Sequence, residues 1–220
     1  MKKFLLILMA TVTLVANAQD MKLPAPQTTV VKKQPNMTVV EALMTRHSVR
    51  KYTEQKLSNQ MISNVCWAAI GVQRDKDHRT NPTARNFQEI RLFVLTEAAA
   101  YEYIAEDNNL RFIMEGDFRK LMASNGEGSG FSQDFVMEAP VSLVLVYDLD
   151  LFKGGDEEHA RLMSLVDAGI ACQNINLYCQ SVGLATVPRA TMDIEQLREV
   201  LQLNDRQFPI MNNPIGFEKR

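Results

Sequence analysis

Apolar residues along the chain switch between a helical and a strand period, and the switches outline the elements. Val39 to Arg46 repeats at helical spacing, and a second helix runs from Ser58, a fitting N-cap, through Ile62, Val65, Cys66, Ala69 and Ile70 to Gly71. Gln73 to Arg85 is polar and reads as a loop. Ile90 to Leu95 alternates and then turns wholly apolar, which predicts a strand, after which Thr96 is placed to cap a short alanine-rich helix. Val141 to Tyr147 is a nearly unbroken apolar run, a strand central in its sheet. Arg161 to Val182 carries apolar residues around most of its circumference and predicts the longest helix, buried on several sides, with Gly183 placed to end it. Leu184 to Val187 predicts a short strand, Asp193 caps a helix through Leu201, and Phe208 to Met211 forms a last strand. Between Asp107 and Val136 only a helix around Phe118 to Met122 and a flexible stretch from Gly126 to Gly130 are legible. Helices and strands mix without βαβ alternation, so the expected fold is α+β, with helices packed around a mixed sheet.

The front of the chain follows a different logic. Lys2 and Lys3 precede an uncharged run from Phe4 to Ala16, and Ala16-Asn17-Ala18 ends it with small residues. That is the pattern of a cleavable secretory leader over 1–18, too short to span a bilayer comfortably. Export to the periplasm or beyond is therefore expected, with no membrane span left after cleavage. From Gln19 to Asn36 the chain is polar, proline-bearing and aperiodic, an extended arm without a core of its own, and the globular domain covers 37–220.

Composition narrows the function. With 46% apolar and 23% charged residues the chain can bury a core, which excludes global disorder. A net charge of -2 argues against a nucleic-acid surface, so any anion bound is small. The three cysteines do not form a disulfide framework: Cys172 and Cys179 lie about 10 Å apart along one helix, beyond bridging distance, and Cys66 sits in an apolar helical stretch. All three read as buried free thiols. His47, His78 and His159 lack metal-ligand spacing, and no GxSxG elbow marks a serine hydrolase. The glycine run has neither a preceding strand nor a Lys-Ser/Thr pair, so it reads as a lid or surface loop and not as a phosphate-cradling loop.

Four segments carry candidate chemistry. In Arg46-His47-Ser48-Val49-Arg50 two guanidiniums flank a hydroxyl; extended, Arg46, Ser48 and Arg50 share one side and suit a phosphate, though a solvated basic helix end would look the same. Asn81 to Gln88 is a turn delivering amide side chains that suit a heterocycle edge or simply the turn itself. Asp167-Ala168-Gly169 with Gln173-Asn174 places polar groups inside an apolar helix, where they need partners from a ligand or a second subunit. Val187 to Thr191 breaks a strand and offers backbone N–H groups to a ligand.

In this order the four segments resemble the flavin-dependent nitroreductase family, over about Val39 to Arg220. Arg46-His47-Ser48-Val49-Arg50 is similar to its RHSxR/K phosphate motif, and Pro82 to Gln88 to its PSAxNxQ segment. The resemblance implies a three-layer sandwich with a mixed, mainly antiparallel sheet, an intertwined homodimer, and FMN at the subunit interface. It also implies site residues: Arg46, Ser48 and Arg50 on the FMN phosphate with His47 beside it; Pro82, Thr83, Ala84, Asn86 and Gln88 at the flavin from the partner subunit or its edge. Pro188, Arg189 and Ala190 would line the ring, and Lys219 and Arg220 would add positive charge. The implied activity moves two electrons from NAD(P)H or another reductant to nitroaromatic, quinone or similar acceptors by ping-pong turnover. An oxidase or dehalogenase on the same fold, or an exported flavin or small-ligand carrier, are the alternatives. The chain departs from the family pattern after Gln88, where Glu89-Ile90 replaces the frequent Pro-Trp.

Overall fold

The computed structural model describes residues 19–27, 37–126, 130 and 132–219. The expected leader at 1–18, the arm beyond 27, three of the five residues of the glycine-rich stretch and Arg220 lie outside the described residues. In chain order the elements are β1 (Met21–Lys22), α1 (Val39–Thr45), α2 (Asn59–Ile70), β2 (Ile90–Thr96), β3 (Ala99–Ile104), β4 (Asn109–Glu115), β5 (Val141–Asp148), α3 (Glu157–Ser181), β6 (Ala185–Thr186), α4 (Ile194–Val200) and β7 (Gln207–Gly216). Short 3-10 turns occupy Ala84–Asn86, Arg119–Met122 and Asp134–Met137.

The strands form one sheet in the order β1-β4-β3-β2-β5-β7-β6. The sequence leads to a mixed, mainly antiparallel sheet; every ladder among the described residues is antiparallel. Period-two alternation splits β2 between two cores. Leu92 and Val94 face α2 and α3, packing with Val65, Cys66, Ala171 and Ile175. Phe93 and Leu95 face the other way, onto Leu121, Met122, Val136 and α4's Leu197. Three layers result, with the sheet in the middle, as an α+β sandwich requires.

Helix starts follow the expected chemistry. Thr38 and Glu41 form a reciprocal capping box on α1, Ser58 accepts the Met61 N–H at 3.3 Å, and Asp193 accepts that of Gln196 at 3.0 Å. Asp156 accepts the His159 N–H at 2.8 Å, so α3 begins a turn earlier than the apolar pattern suggests. All three cysteines are buried free thiols.

Two expectations fail. Thr96 caps no helix: its hydroxyl oxygen accepts the N–H groups of Ala98 and Ala99 in a tight turn, and the alanine-rich segment is β3. Both faces of that strand are covered, so small residues fit there: Ala99 enters the core under α2 and α3 and Ala100 the opposite one. The first part of the arm is not free of the core either. β1 pairs with β4, Leu23 is buried, and Asn108 donates to the Pro24 carbonyl at 2.7 Å.

Candidate active site

The basic segment leaves α1 at Arg46, whose ψ of 137° turns the chain extended. The Val49 N–H donates to the Thr186 carbonyl of β6 at 3.1 Å, and the Tyr52 hydroxyl donates to the Val49 carbonyl at 2.9 Å. Val49 and Tyr52 are thereby buried while Arg46, His47, Ser48 and Arg50 stay exposed. The C-terminal residues run alongside: Tyr52 bridges Glu218, and the Lys219 N–H donates to the Lys51 carbonyl at 3.1 Å. Lys219 therefore joins the basic segment, whereas Arg220 lies outside the described residues. No carboxylate pairs with Arg46, Arg50 or Lys219 among the described residues. His47 instead meets the Glu218 carboxylate at 3.0 Å, which raises its pKa and keeps the imidazole charged to higher pH. Arg46, His47 and Val49 line a shallow concavity with Asn176 and Gln180 of α3, Thr186 and Pro188.

Beside this concavity the 188–190 segment alternates. Pro188 and Ala190 are exposed, and the Ala190 N–H has no partner among the described residues. Arg189 departs from its expected role on the ring. It is 7% exposed, and its guanidinium donates inward to the Asn212 side chain, the Gln133 side chain and the Met122 carbonyl at 2.7–2.9 Å. Its own N–H is also spent, on the Asn212 carbonyl at 2.9 Å. Burial pulls the Arg189 pKa down to about 10, with Tyr52 and Arg50 as its charged or polar neighbours. No carboxylate pairs with it among the described residues. A desolvated cation behind exposed guanidiniums makes this corner of the molecule receptive to an anion.

The 82–88 segment is a strained loop. Arg85, Asn86 and Gln88 hold φ of 50°, 59° and 54°, a left-handed backbone that costs non-glycine residues roughly 1 to 2 kcal/mol each. Hydrogen bonds over-determine it. Thr83 accepts the Gln88 N–H at 2.9 Å, Asn86 donates to the Asp77 carbonyl, Gln88 accepts from Arg79 Nε, and the Ala84 N–H donates to Asp167 at 2.6 Å. Pro82 is exposed at its rim. A cavity of about 30 Å³, room for one water, lies between Arg79, Asn81, Thr83 and Gln88, where Arg79 Nη1 and Asn81 Oδ1 are buried without partners.

The structure does not bring the two segments together within one chain. The loop sits on α3 at Asp167, while the basic segment shares its concavity with Asn176 and Gln180 of α3. From Asp167 to Asn176 is roughly 14 Å along the axis at 1.5 Å per residue. Sequence reasoning missed Tyr52, Arg79, Glu89 and Glu218. Tyr52 and Glu218 carry no motif, and the signal for Glu89 was its departure from the family pattern; Asp167, an acid inside an apolar helix, was legible in the sequence.

Comparison with known proteins agrees with this architecture. The Nitroreductase family model matches residues 43–217. A provisionally named nitroreductase of Ralstonia eutropha JMP134 superimposes with a TM-score of 0.81 at 29% identity, covering 92% of this chain and 91% of that one. A provisionally named nitroreductase of Methanocaldococcus jannaschii, MJ1384, is 26% identical over 184 residues, 80% of this chain and 89% of the relative. The fold also matches a Parabacteroides distasonis protein described as an NADH dehydrogenase/NAD(P)H nitroreductase, with a TM-score of 0.58 at 22% identity over 83% of this chain and 88% of that one. The chain belongs to the nitroreductase family, a flavin-dependent family of oxidoreductases.

Proposed function

We propose that this protein is an FMN-dependent oxidoreductase that passes two electrons from NAD(P)H or another reductant to nitroaromatic, quinone or similar small acceptors. The observation that carries the reading is the set of uncompensated cations around the segment after α1: among the described residues Arg46 and Arg50 have no carboxylate partner, and neither has Arg189, buried beside Arg50. A phosphate fits there. Arg46, Ser48, Arg50 and Lys219 would hold it, with His47 beside it, and the unpartnered Ala190 N–H is a donor left for the ring. FMN supplies reversible two-electron chemistry, which side chains cannot. The chain's residues bind and orient it: guanidiniums supply charge-assisted bonds worth roughly 1.5 to 3 kcal/mol each, and Arg189 keeps the surrounding potential positive. No side-chain nucleophile is needed, and donor and acceptor using one concavity in turn gives ping-pong kinetics.

The separation of the loop from the basic segment supports a homodimer in which a second copy brings its own loop to this segment. Exposed apolar side chains on α1 (Val39, Val40, Leu43, Met44) and α3 (Leu162, Leu165, Val166) offer the surface for it. The apolar leader supports an exported protein, and the mass of the chain recovered from the periplasm tests whether it starts near Gln19.

One titration tests the cofactor. The purified protein takes up FMN, its visible band bleaches with a reductant and returns with a nitro compound or quinone, and Arg46→Ala loses at least tenfold in FMN affinity, about 1.4 kcal/mol. A colourless protein that ignores FMN, or an Arg46→Ala variant with unchanged flavin content, overturns the reading.

A further inference from the structure

Glu89 follows the strained loop directly. It is completely buried, and neither of its carboxylate oxygens has a hydrogen-bond partner among the described residues. The side chains against its carboxyl are Ser164 and Asp167, three residues apart on one face of α3. The Ser164 hydroxyl is also buried and unpartnered. Asp167 is nearly buried, and its one bond is to the Ala84 N–H of the loop, at 2.6 Å. Three orphaned or half-satisfied polar groups in one dry place demand an explanation.

Charge compensation does not provide it. No cation is bonded to either carboxyl among the described residues. Arg85 lies over the Phe87 ring, Arg91 of β2 pairs with Glu102 and Asp148, and Arg161 of α3 bonds Glu157 and the Tyr147 hydroxyl of β5. The Asp148 carboxylate is held by Arg91 and Gln207. Of two facing carboxyls in such a site one holds its proton well above the ordinary carboxylate range. A proton between them gives Glu89 a donor, leaves Asp167 with the charge that Ala84 needs, and lets Ser164 donate to the same pair. Burial, reinforced by Asp167, pushes the Glu89 carboxyl up to about 7.

We propose that Glu89 and Asp167 share a single proton, and that this protonated pair is the seat holding the Thr83–Gln88 loop in its left-handed conformation, so that losing the proton releases the loop and weakens cofactor binding. Glu89 is a positioning residue: it acts through Asp167 on Ala84. With both groups ionised, repulsion pushes Asp167 off the Ala84 N–H, and the strain at Arg85, Asn86 and Gln88 loses the anchor that over-determines it. The part of this inference that concerns binding rests on the FMN reading; the shared proton and the loop do not.

Infrared spectra, amide exchange and FMN titrations of the full chain, across about pH 6 to pH 9, test it; a coupling of about one pK unit sets the scale. Wild type shows the carbonyl band of a neutral carboxyl that disappears as pH rises, together with the loss of exchange protection at Ala84. Glu89→Gln lacks the titrating band and keeps Ala84 protected throughout. FMN affinity of the wild type falls roughly tenfold over the range, whereas that of Glu89→Gln changes less than about twofold. Asp167→Asn, which keeps the shape and removes the like charge but not the burial, moves the titration of the Glu89 band to lower pH and uncouples it from Ala84 exchange. Absence of a neutral-carboxyl band at the low end, or a Glu89→Gln variant that retains the wild-type pH dependence of Ala84 exchange, overturns the inference. If no variant binds FMN while band and exchange titrate together, the flavin reading falls and the proton-sharing seat is upheld.

Discussion

Tyr52 shows how one buried hydroxyl can hold a binding segment in shape. Its O–H reaches the Val49 carbonyl at 2.9 Å and the Pro214 carbonyl at 3.4 Å, tying the basic strand to β7, while its N–H donates to Glu138. Tyr52→Phe should cost about 1 kcal/mol in urea unfolding, a single lost hydrogen bond, and lower phosphate-dependent FMN affinity without touching the ligand. At this scale the sequence told which residues carry chemistry better than which way they point. Arg46, His47, Ser48 and Arg50 are all exposed on the segment that follows α1, but Arg189 turns inward because Asn212, Gln133 and Met122 offer it three acceptors. Those acceptors lie 23 to 67 positions away in the chain, so no local pattern could announce them.

At the scale of elements, helices were the most legible because their caps are local: Ser58, Asp156 and Asp193 act within three residues of themselves. Strands were harder. The alanines of β3 favour a helix on propensity, and only neighbours on both sides make them a strand. β7 extends from Gln207 to Gly216, beyond the expected Phe208–Met211; the ladder to β5 slips beside Pro209, between Leu145 and Val146, and absorbs the missing donor. β1 is two residues long and could not be read at all, yet Leu23 just beyond it is 3% exposed. Leu23→Ala is expected to destabilise the fold by roughly 2 to 3 kcal/mol, a cavity cost measurable by chemical denaturation. A free arm would show no effect.

At the scale of the whole molecule, the apolar stripe on α1 and α3 contradicts the behaviour of a lone chain. Met44 is 80% exposed and Val39 68%, on a helix with few polar residues between them. Leu165→Glu, at a half-exposed position with no role in the core, should leave the helical signal intact and halve the sedimenting mass at micromolar concentration. FMN affinity should fall with it by at least tenfold, about 1.4 kcal/mol, if the neighbour completes the cleft. A monomeric variant with full affinity would show that each chain binds alone.

The placement of the Thr83–Gln88 loop against the middle of α3 and of the Arg46–Arg50 segment nearer its C-terminal end has a genetic corollary. Mix two defective chains, one carrying Arg46→Ala and the other Gln88→Ala, and let them exchange subunits. If each cleft borrows from both chains, the hybrid holds one cleft with both lesions and one with neither, so activity reappears from two inactive parents. Were each chain self-sufficient, every cleft in the mixture would keep a lesion, and mixing would restore nothing.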